Sequence, residues 1–345
     1  MTATLRELGF VIGEHDTTPR NHICDVEGVA VGHRTLHVGT SVHTGITIVR
    51  PHGRDVVRSK AFAGFHCANG YGKFVGSTQI DELGSIETLV GLTNTLAVGT
   101  VMQELARYHV ACTNDPGVVS LNVVVGETND YPLNDIRSLP IAPSHVHEAI
   151  EDVNADNLAQ GSVGAGTGTL AFGFKAGIGS AARSVAGVRI GVLVQSNYWG
   201  HLALGGRTVW KVLGISPHTR LREQSGSCVI LVATDACLMP DQLRRLARRA
   251  TAGMVRTGGF FAHGSGDYAL CWSTHPCAAK EGDKPMGGPF LEDGALDPLF
   301  VAVSEAVEEA VWNSMTLAAA MAGFQATVPS LSAEQAMDAW QQLGE

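Results

Sequence analysis

Two short glycine–serine stretches hold the residues best suited to covalent chemistry in this 345-residue chain. The first is Ser225-Gly226-Ser227-Cys228. It closes a polar loop-like segment and opens an unbroken apolar run, so Ser227 falls at a loop-to-strand junction. Glycine at such a junction accepts backbone angles that other residues resist, and it leaves its carbonyl open to close approach. The hydroxyl of Ser227, or the thiol of Cys228, would then stand next to a carbonyl it could attack. The second stretch is His263-Gly264-Ser265-Gly266-Asp267. Ser265 and Asp267 are two residues apart at the start of a strand, so alternation puts both on one face, where the carboxylate can orient and polarise the hydroxyl. A neutral hydroxyl is a poor nucleophile and needs such help, so the chemistry indicated is acyl transfer through a serine. The plain alternative for either stretch is a glycine turn closed by a side-chain hydrogen bond.

Other motifs point to less. Residues 161–168 (GSVGAGTG) have the look of a phosphate-cradling loop, but they follow a polar stretch and lead into a strand-like one, and no Walker-type lysine follows. A close-packed turn is the expectation there. His33 and His37, or His145 and His147, are the nearest histidine sets, and neither forms a zinc motif. Cys271 and Cys277 are likewise badly spaced for zinc. No G-x-S-x-G is present, so a nucleophile-elbow hydrolase is unsupported. We expect no metal and no cofactor.

Apolar residues are 45% of the chain and charged residues 17%, which excludes a disordered protein. A net charge of −9 argues against nucleic acid or an anionic membrane as partner. No apolar stretch is long enough to cross a bilayer, and MTATLRELGF lacks the apolar core of a secretory signal. Seven scattered cysteines read as reduced thiols, so a cytoplasmic location is expected. Low charge with a mean hydropathy of +0.10 suggests surface hidden in an oligomer.

The elements that must carry these residues alternate. Strands are expected over 25–33, 45–50, 118–125, 170–174, 188–195, 227–234 and 267–273. Residues 86–109 read as one long buried helix, 147–157 as a short polar helix, and 239–256 as an amphipathic helix. The last has an apolar stripe of Leu243, Leu246, Ala247, Ala250 and Met254, with Arg244, Arg245, Arg248 and Arg249 on a solvated face. Asp297 and Pro298 start a final helix expected to reach about residue 321. Residues 201–225 and 278–294 read as exposed loops. The pattern favours a layered α/β or α+β domain.

Several stretches stand in a telling order: Asn69-Gly70-Tyr71-Gly72, Gly126-Glu127-Thr128-Asn129-Asp130 with Leu133-Asn134-Asp135, the 164–168 glycines, Phe174–Gly179, Gln195-Ser196-Asn197, SCVILVATDACL from Ser227, and Gly264–Asp267. Together they resemble the self-processing aminopeptidases, a DmpA-like, S58-type family that includes L-aminopeptidase/D-amidase-esterases and β-aminopeptidases. The resemblance covers nearly the whole chain. It implies a single α+β domain, a four-layer αββα sandwich like that of N-terminal-nucleophile hydrolases with different connectivity. It implies self-cleavage between Gly226 and Ser227 into an α chain, 1–226, and a β chain, 227–345. Ser227 would be the nucleophile, Ser265 and Asp267 its second serine and acid, and Asn197 the oxyanion donor. Glu127 would hold the substrate's free amine, with Tyr131 in the same loop. Substrates would be short peptides, amides or esters, handled by a homotetramer of processed pairs.

Three departures from that family stand out: Cys228 after the nucleophile, Asp267 in place of the glutamate of β-aminopeptidases, and Pro132 in the substrate loop. Two candidates for the base remain open at this level. One is the new α-amine of Ser227, with a reference pKa of about 7.7–8.0. The other is a relay through Ser265 and Asp267. An acyltransferase, or an uncleaved binding protein on the same fold, are the rival readings.

Overall fold

Two sheets lie at the centre of the computed structural model, which describes residues 2–113, 115–214, 226–282 and 284–344. The larger, eight-stranded sheet runs Ile178–Val185, Val188–Asn197, Ser227–Thr234, Gly266–Ser273, Ser59–Gly70, Ala279–Glu281 and Lys284–Pro285, with Ser85–Ile86 added on Ser59–Gly70. The smaller runs Ala30–Val38, Val42–Arg50, Val90–Asn94, Val124–Thr128 and Phe74–Val75. Within these sheets, two pairs are parallel: Ser227–Thr234 with Gly266–Ser273, and Val90–Asn94 with Val124–Thr128.

The distribution of buried apolar side chains gives the layers. One core lies between the sheets, where Val31, Val49, Val90, Leu92 and Val124 meet Leu193, Val229, Leu231, Leu270 and Trp272. A second covers the outer face of the large sheet, where Val192, Ile230, Val232 and Cys271 pack on the helices Pro240–Arg256 and Asp297–Thr316. A third covers the outer face of the small sheet with Val98–Cys112 and Pro143–Glu151. The result is helix, sheet, sheet, helix: the αββα sandwich of an α+β protein. Strands Ser227–Thr234 and Gly266–Ser273 are buried along their whole length, as their continuous apolar runs require when both faces are covered.

Helix Pro240–Arg256 matches its expected span, with its apolar stripe buried. Its arginines face outward and bind their own chain: Arg245 pairs with Asp293 at 2.9 Å, and Arg249 lies 4.1 Å over the Phe300 ring. The glycine stretch at 161–168 forms a buried turn wedged between the sheets. The Gly164 amide donates to Thr35 Oγ1 and the Ala165 amide to Thr47 Oγ1.

Other expectations change. Residues 86–109 are not one helix: Val90–Asn94 is a strand, and the helix begins at Val98. Asn94 makes the break, its Oδ1 accepting the amides of Leu96 and Ala97 at 3.1 Å. The expected 118–125 strand is Val124–Thr128, because its five-residue parallel partner limits the pairing. The first two strands are Ala30–Val38 and Val42–Arg50, the first shifted five residues along and the second lengthened relative to the hydrophobic pattern, because they pair as a hairpin. The helix at 147–157 is Pro143–Glu151, with Pro143 in its first turn. Residues 170–174 split into two short arms turning at Phe172 and Gly173, both with positive φ. The last long helix stops at Thr316. In the expected exposed loop 201–225, Leu202, Leu204 and Val209 are buried; residues 215–225 lie outside the described ones. Strands Ser59–Gly70 and Ile178–Val185 and helix Ala333–Gln342 have no counterpart in the sequence reading.

Candidate active site

The site forms where three strands of the large sheet begin or end together. Ser227 opens its strand and stands in register with Asn197 on the antiparallel neighbour and with Gly266 on the parallel neighbour. Residues paired this way share a face. Ser227 and Asn197 continue the alternation of Val229 and Leu193, so both face the space between the sheets. All five of Ser227, Asn197, Glu127, Ser265 and Asp267 are buried.

The Gly266 amide meets both groups that self-cleavage would engage, the Ser227 hydroxyl and the Gly226 carbonyl. Its amide lies 3.2 Å from Ser227 Oγ and 3.3 Å from the Gly226 carbonyl oxygen. Among the described residues, the Ser227 hydroxyl has no other hydrogen-bond partner. Gly226 is confined as well. A Cβ there would sit 2.7 Å from Tyr198 Cα and 2.9 Å from the Asn197 carbonyl, so only glycine fits without a shift.

Asn197 is held at both ends of its amide. Oδ1 accepts the Leu170 amide at 3.1 Å, and Nδ2 donates to the Asn129 carbonyl at 2.8 Å. That fixes which way the amide points and leaves one Nδ2 hydrogen free beside Ser227.

Ser265 donates to Asp267 Oδ1 at 2.9 Å, so the two do share a face. It is not the face of Ser227. Asp267 pairs with Cys228 and lies with Ala269 and Cys271 on the helix side of the sheet. Burial pushes the Asp267 carboxyl up to about 7, against the opposing pull of the Ser265 hydroxyl and the Cys228 backbone. Among the described residues, its Oδ2 has no hydrogen-bond partner.

Glu127 is the fourth residue of the strand Val124–Thr128, on the neighbouring sheet. Oε1 accepts the Lys73 amide at 2.8 Å, Oε2 accepts the Thr95 hydroxyl, and the Lys73 ammonium lies 4.0 Å away. Gly72 covers this carboxylate and touches Gly266: a Cβ on Gly72 would lie 2.9 Å from Glu127 Oε1 and 3.2 Å from Gly266 Cα. Glu127 is thereby separated only by Gly72 from Gly266, whose amide binds Ser227 Oγ. Tyr131 is half-buried, its hydroxyl bonded to Gln325 and its ring against Phe324 at 6.2 Å.

Sequence reasoning missed the Gly266 amide, the Asn129 carbonyl, Thr95 and Lys73. The first two are backbone groups, which no residue type announces. Among the described residues, one group of acid and histidine side chains lies close together: Glu14, His15 and Glu305. There Glu305 already accepts the Glu14 amide at 3.0 Å and faces the Arg183 guanidinium at 3.5 Å.

A two-sheet α+β sandwich with a buried serine at the mouth of a central strand is the architecture of hydrolases related to the N-terminal-nucleophile fold. Residues 21–328 match the family model described as Peptidase family S58, and the chain belongs to that family. It is 34% identical over 333 residues to beta-peptidyl aminopeptidase BapA of Sphingosinicella microcystinivorans, covering 88% of this chain and 83% of the relative. The solved PH0078 protein of Pyrococcus horikoshii OT3 superposes with a TM-score of 0.91 at 38% identity, covering 99% of this chain and 100% of that one. The L-aminopeptidase D-Ala-esterase/amidase of Ochrobactrum anthropi, described as a prototype for the serine aminopeptidases and a variant of the Ntn hydrolase fold, gives 0.88 at 32% identity, covering 99% of both chains. Family membership makes this chain a peptidase. No helix among the described residues is long and apolar enough to cross a membrane.

Proposed function

We propose that the chain is a self-cleaving serine aminopeptidase and amidase that removes N-terminal residues from short peptides, amides or esters. The observation that carries this reading is the shared donor: Ser227 Oγ and the Gly226 carbonyl both meet the Gly266 amide. In self-cleavage, Ser227 Oγ adds to the Gly226 carbonyl carbon. The Gly226–Ser227 C–N bond then breaks, an ester forms on Oγ, and the departing nitrogen keeps its proton and gains the hydroxyl's. Water hydrolyses the ester and leaves Ser227 with a free α-amine.

In turnover that amine is the base within reach of the hydroxyl. The position of Ser265 and Asp267 supports this choice, because they lie across the strand from the hydroxyl, and they act on the amine side. Asn197 Nδ2 and the Gly266 amide stabilise the tetrahedral oxyanion; losing one such donor costs about 3 kcal/mol of barrier. Glu127 pairs with the substrate ammonium through the acceptor directions that Lys73 and Thr95 leave open. The similarity to BapA and to the Ochrobactrum enzyme supports free-amine substrates. We further propose one domain cut into 1–226 and 227–345 and assembled as a homotetramer, without nucleic acid or membrane.

Intact mass under denaturing conditions tests the reading. Two fragments, the smaller starting at Ser227, are expected, together with release of N-terminal residues from free-amine p-nitroanilides. A chain that stays whole and gives no burst with activated esters would favour the uncleaved binding protein instead.

A further inference from the structure

Behind Asn197 lies a buried polar network that the reaction above does not use. Its centre is Asp130, which is 1% exposed. The Asp130 carboxylate accepts the Thr44 hydroxyl and Asn134 Nδ2, the latter at 3.0 Å. Thr44 Oγ1 in turn accepts Asn94 Nδ2 at 2.9 Å. The Asp130 carbonyl accepts the amides of Leu133 and Asn134 at 3.2 and 3.1 Å. The nearby Lys175 side chain, also fully buried, donates to the carbonyls of Gly166 and Ala176. A buried carboxylate is costly, and one surrounded by donors from three separate elements holds those elements in one arrangement.

We propose that Asp130 is a positioning residue for the Asn197 amide, acting through the Asn129 carbonyl. The link is covalent. The Asn129 carbonyl and the Asp130 nitrogen belong to one planar peptide unit, so anchoring Asp130 at its side chain sets the direction in which that carbonyl points. The carbonyl accepts Asn197 Nδ2 at 2.8 Å, and this bond decides where the remaining Nδ2 hydrogen is aimed. Small errors in such aim are expensive in rate, because the donor must meet the oxyanion and not the ground-state carbonyl. Thr44, the third residue of its strand, thereby reaches the reacting centre without touching it.

The inference rests on the assignment of Asn197 as oxyanion donor, and a double-mutant cycle separates the two. Asp130→Asn and Thr44→Val each change one polar atom at nearly constant volume; the second keeps the test valid should the first fail to fold. Turnover of a free-amine p-nitroanilide is expressed per processed chain, counted by intact mass. Each variant is expected to lose about tenfold in kcat with KM within twofold, in the range that small misplacements cost. In an Asn197→Ala background either change should cost less than twofold more, because residues acting as a unit are not additive. Full multiplication of the losses, or a change confined to KM, would overturn the proposal. A wild-type kcat for Asn197→Ala alone would overturn the oxyanion assignment first, and Asp130 would have nothing to act through.

Discussion

Ser265 Oγ donates to Asp267 Oδ1 at 2.9 Å on the helix side of the large sheet, while Ser227 points from the next strand into the space between the sheets. Asp267 therefore does not touch Ser227. What joins the two sides is the Gly266 backbone, lying between Ser265 and Asp267 in sequence and bonded through its amide to Ser227 Oγ. Ser227 and Ser265 are thus bridged by backbone and do not form a linear relay.

Turnover should depend on an ionised Asp267. Its carboxyl is raised to about 7, so kcat should fall as pH drops through that value. Asp267→Asn should lower kcat by about two orders of magnitude, within the usual contribution of a positioned acid–base group, and should remove that acid limb. Stability should move the other way. The unfolded carboxyl titrates near 3.9. Because the folded value is higher, the stability this group lends is complete below about pH 4 and is lost as pH rises through about 7. Thermal melts should show Asp267→Asn gaining at pH 8 and little changed at pH 4.

Ser227→Ala should remain a single chain and be inactive, because it removes the atom that attacks the Gly226 carbonyl. Mass and N-terminal sequencing decide this directly. An activated ester that labels Ser265 and leaves Ser227 free would reverse the assigned roles.

N-acetylation of a good substrate should cost at least ten- to a hundredfold in kcat/KM, at about 1.4 kcal/mol per decade. Glu127→Gln should weaken free-amine substrates and leave the acetylated ones nearly unchanged. Since Glu127 also accepts the Lys73 amide and the Thr95 hydroxyl, the variant should lose some thermal stability too. Acetylated peptides cleaved as fast as free ones would replace the aminopeptidase reading with a general amidase.

Gly266→Ala tests the shared donor by sterics. The added Cβ would lie 2.7 Å from Gly72 Cα and N, which are backbone atoms and cannot step aside. Overpacking of this kind costs about 1–3 kcal/mol. Melting temperature should drop by several degrees, and the half-time of Gly226–Ser227 cleavage should lengthen at least tenfold as the bridging amide shifts.

Dialysis against a strong chelator should leave turnover intact, because every proposed step uses side chains and backbone amides of this chain. Loss of activity restored by zinc would redirect attention to the histidines.

What the sequence determined by itself is the set of elements whose burial is uniform along their length. The Ser227 strand and the helix Pro240–Arg256 were legible because one is apolar throughout and the other has a single stripe, so local pattern and tertiary environment agree. The Ser265–Asp267 pair was legible for the same reason, since residues two apart in a strand share a face whatever the fold. The self-processing proposed at Gly226–Ser227 and the roles proposed for Asn197 and Glu127 rest on resemblance in motif order. Tertiary structure decided the rest. Residues 86–109 alternate between leucines and small residues in a way that suits a helix, and only the parallel pairing with Val124–Thr128 makes a strand of Val90–Asn94. Strand Ser59–Gly70 pairs at the middle of the large sheet although it is rich in alanine and glycine, because helix Pro240–Arg256 packs directly on Gly64. Which face Ser227 presents, and that Glu127 approaches Gly266 from the other sheet across Gly72, follow from how the two sheets stack. The groups proposed to aim the chemistry most closely, the Gly266 amide and the Asn129 carbonyl, belong to the backbone, which every residue shares and only the fold can point.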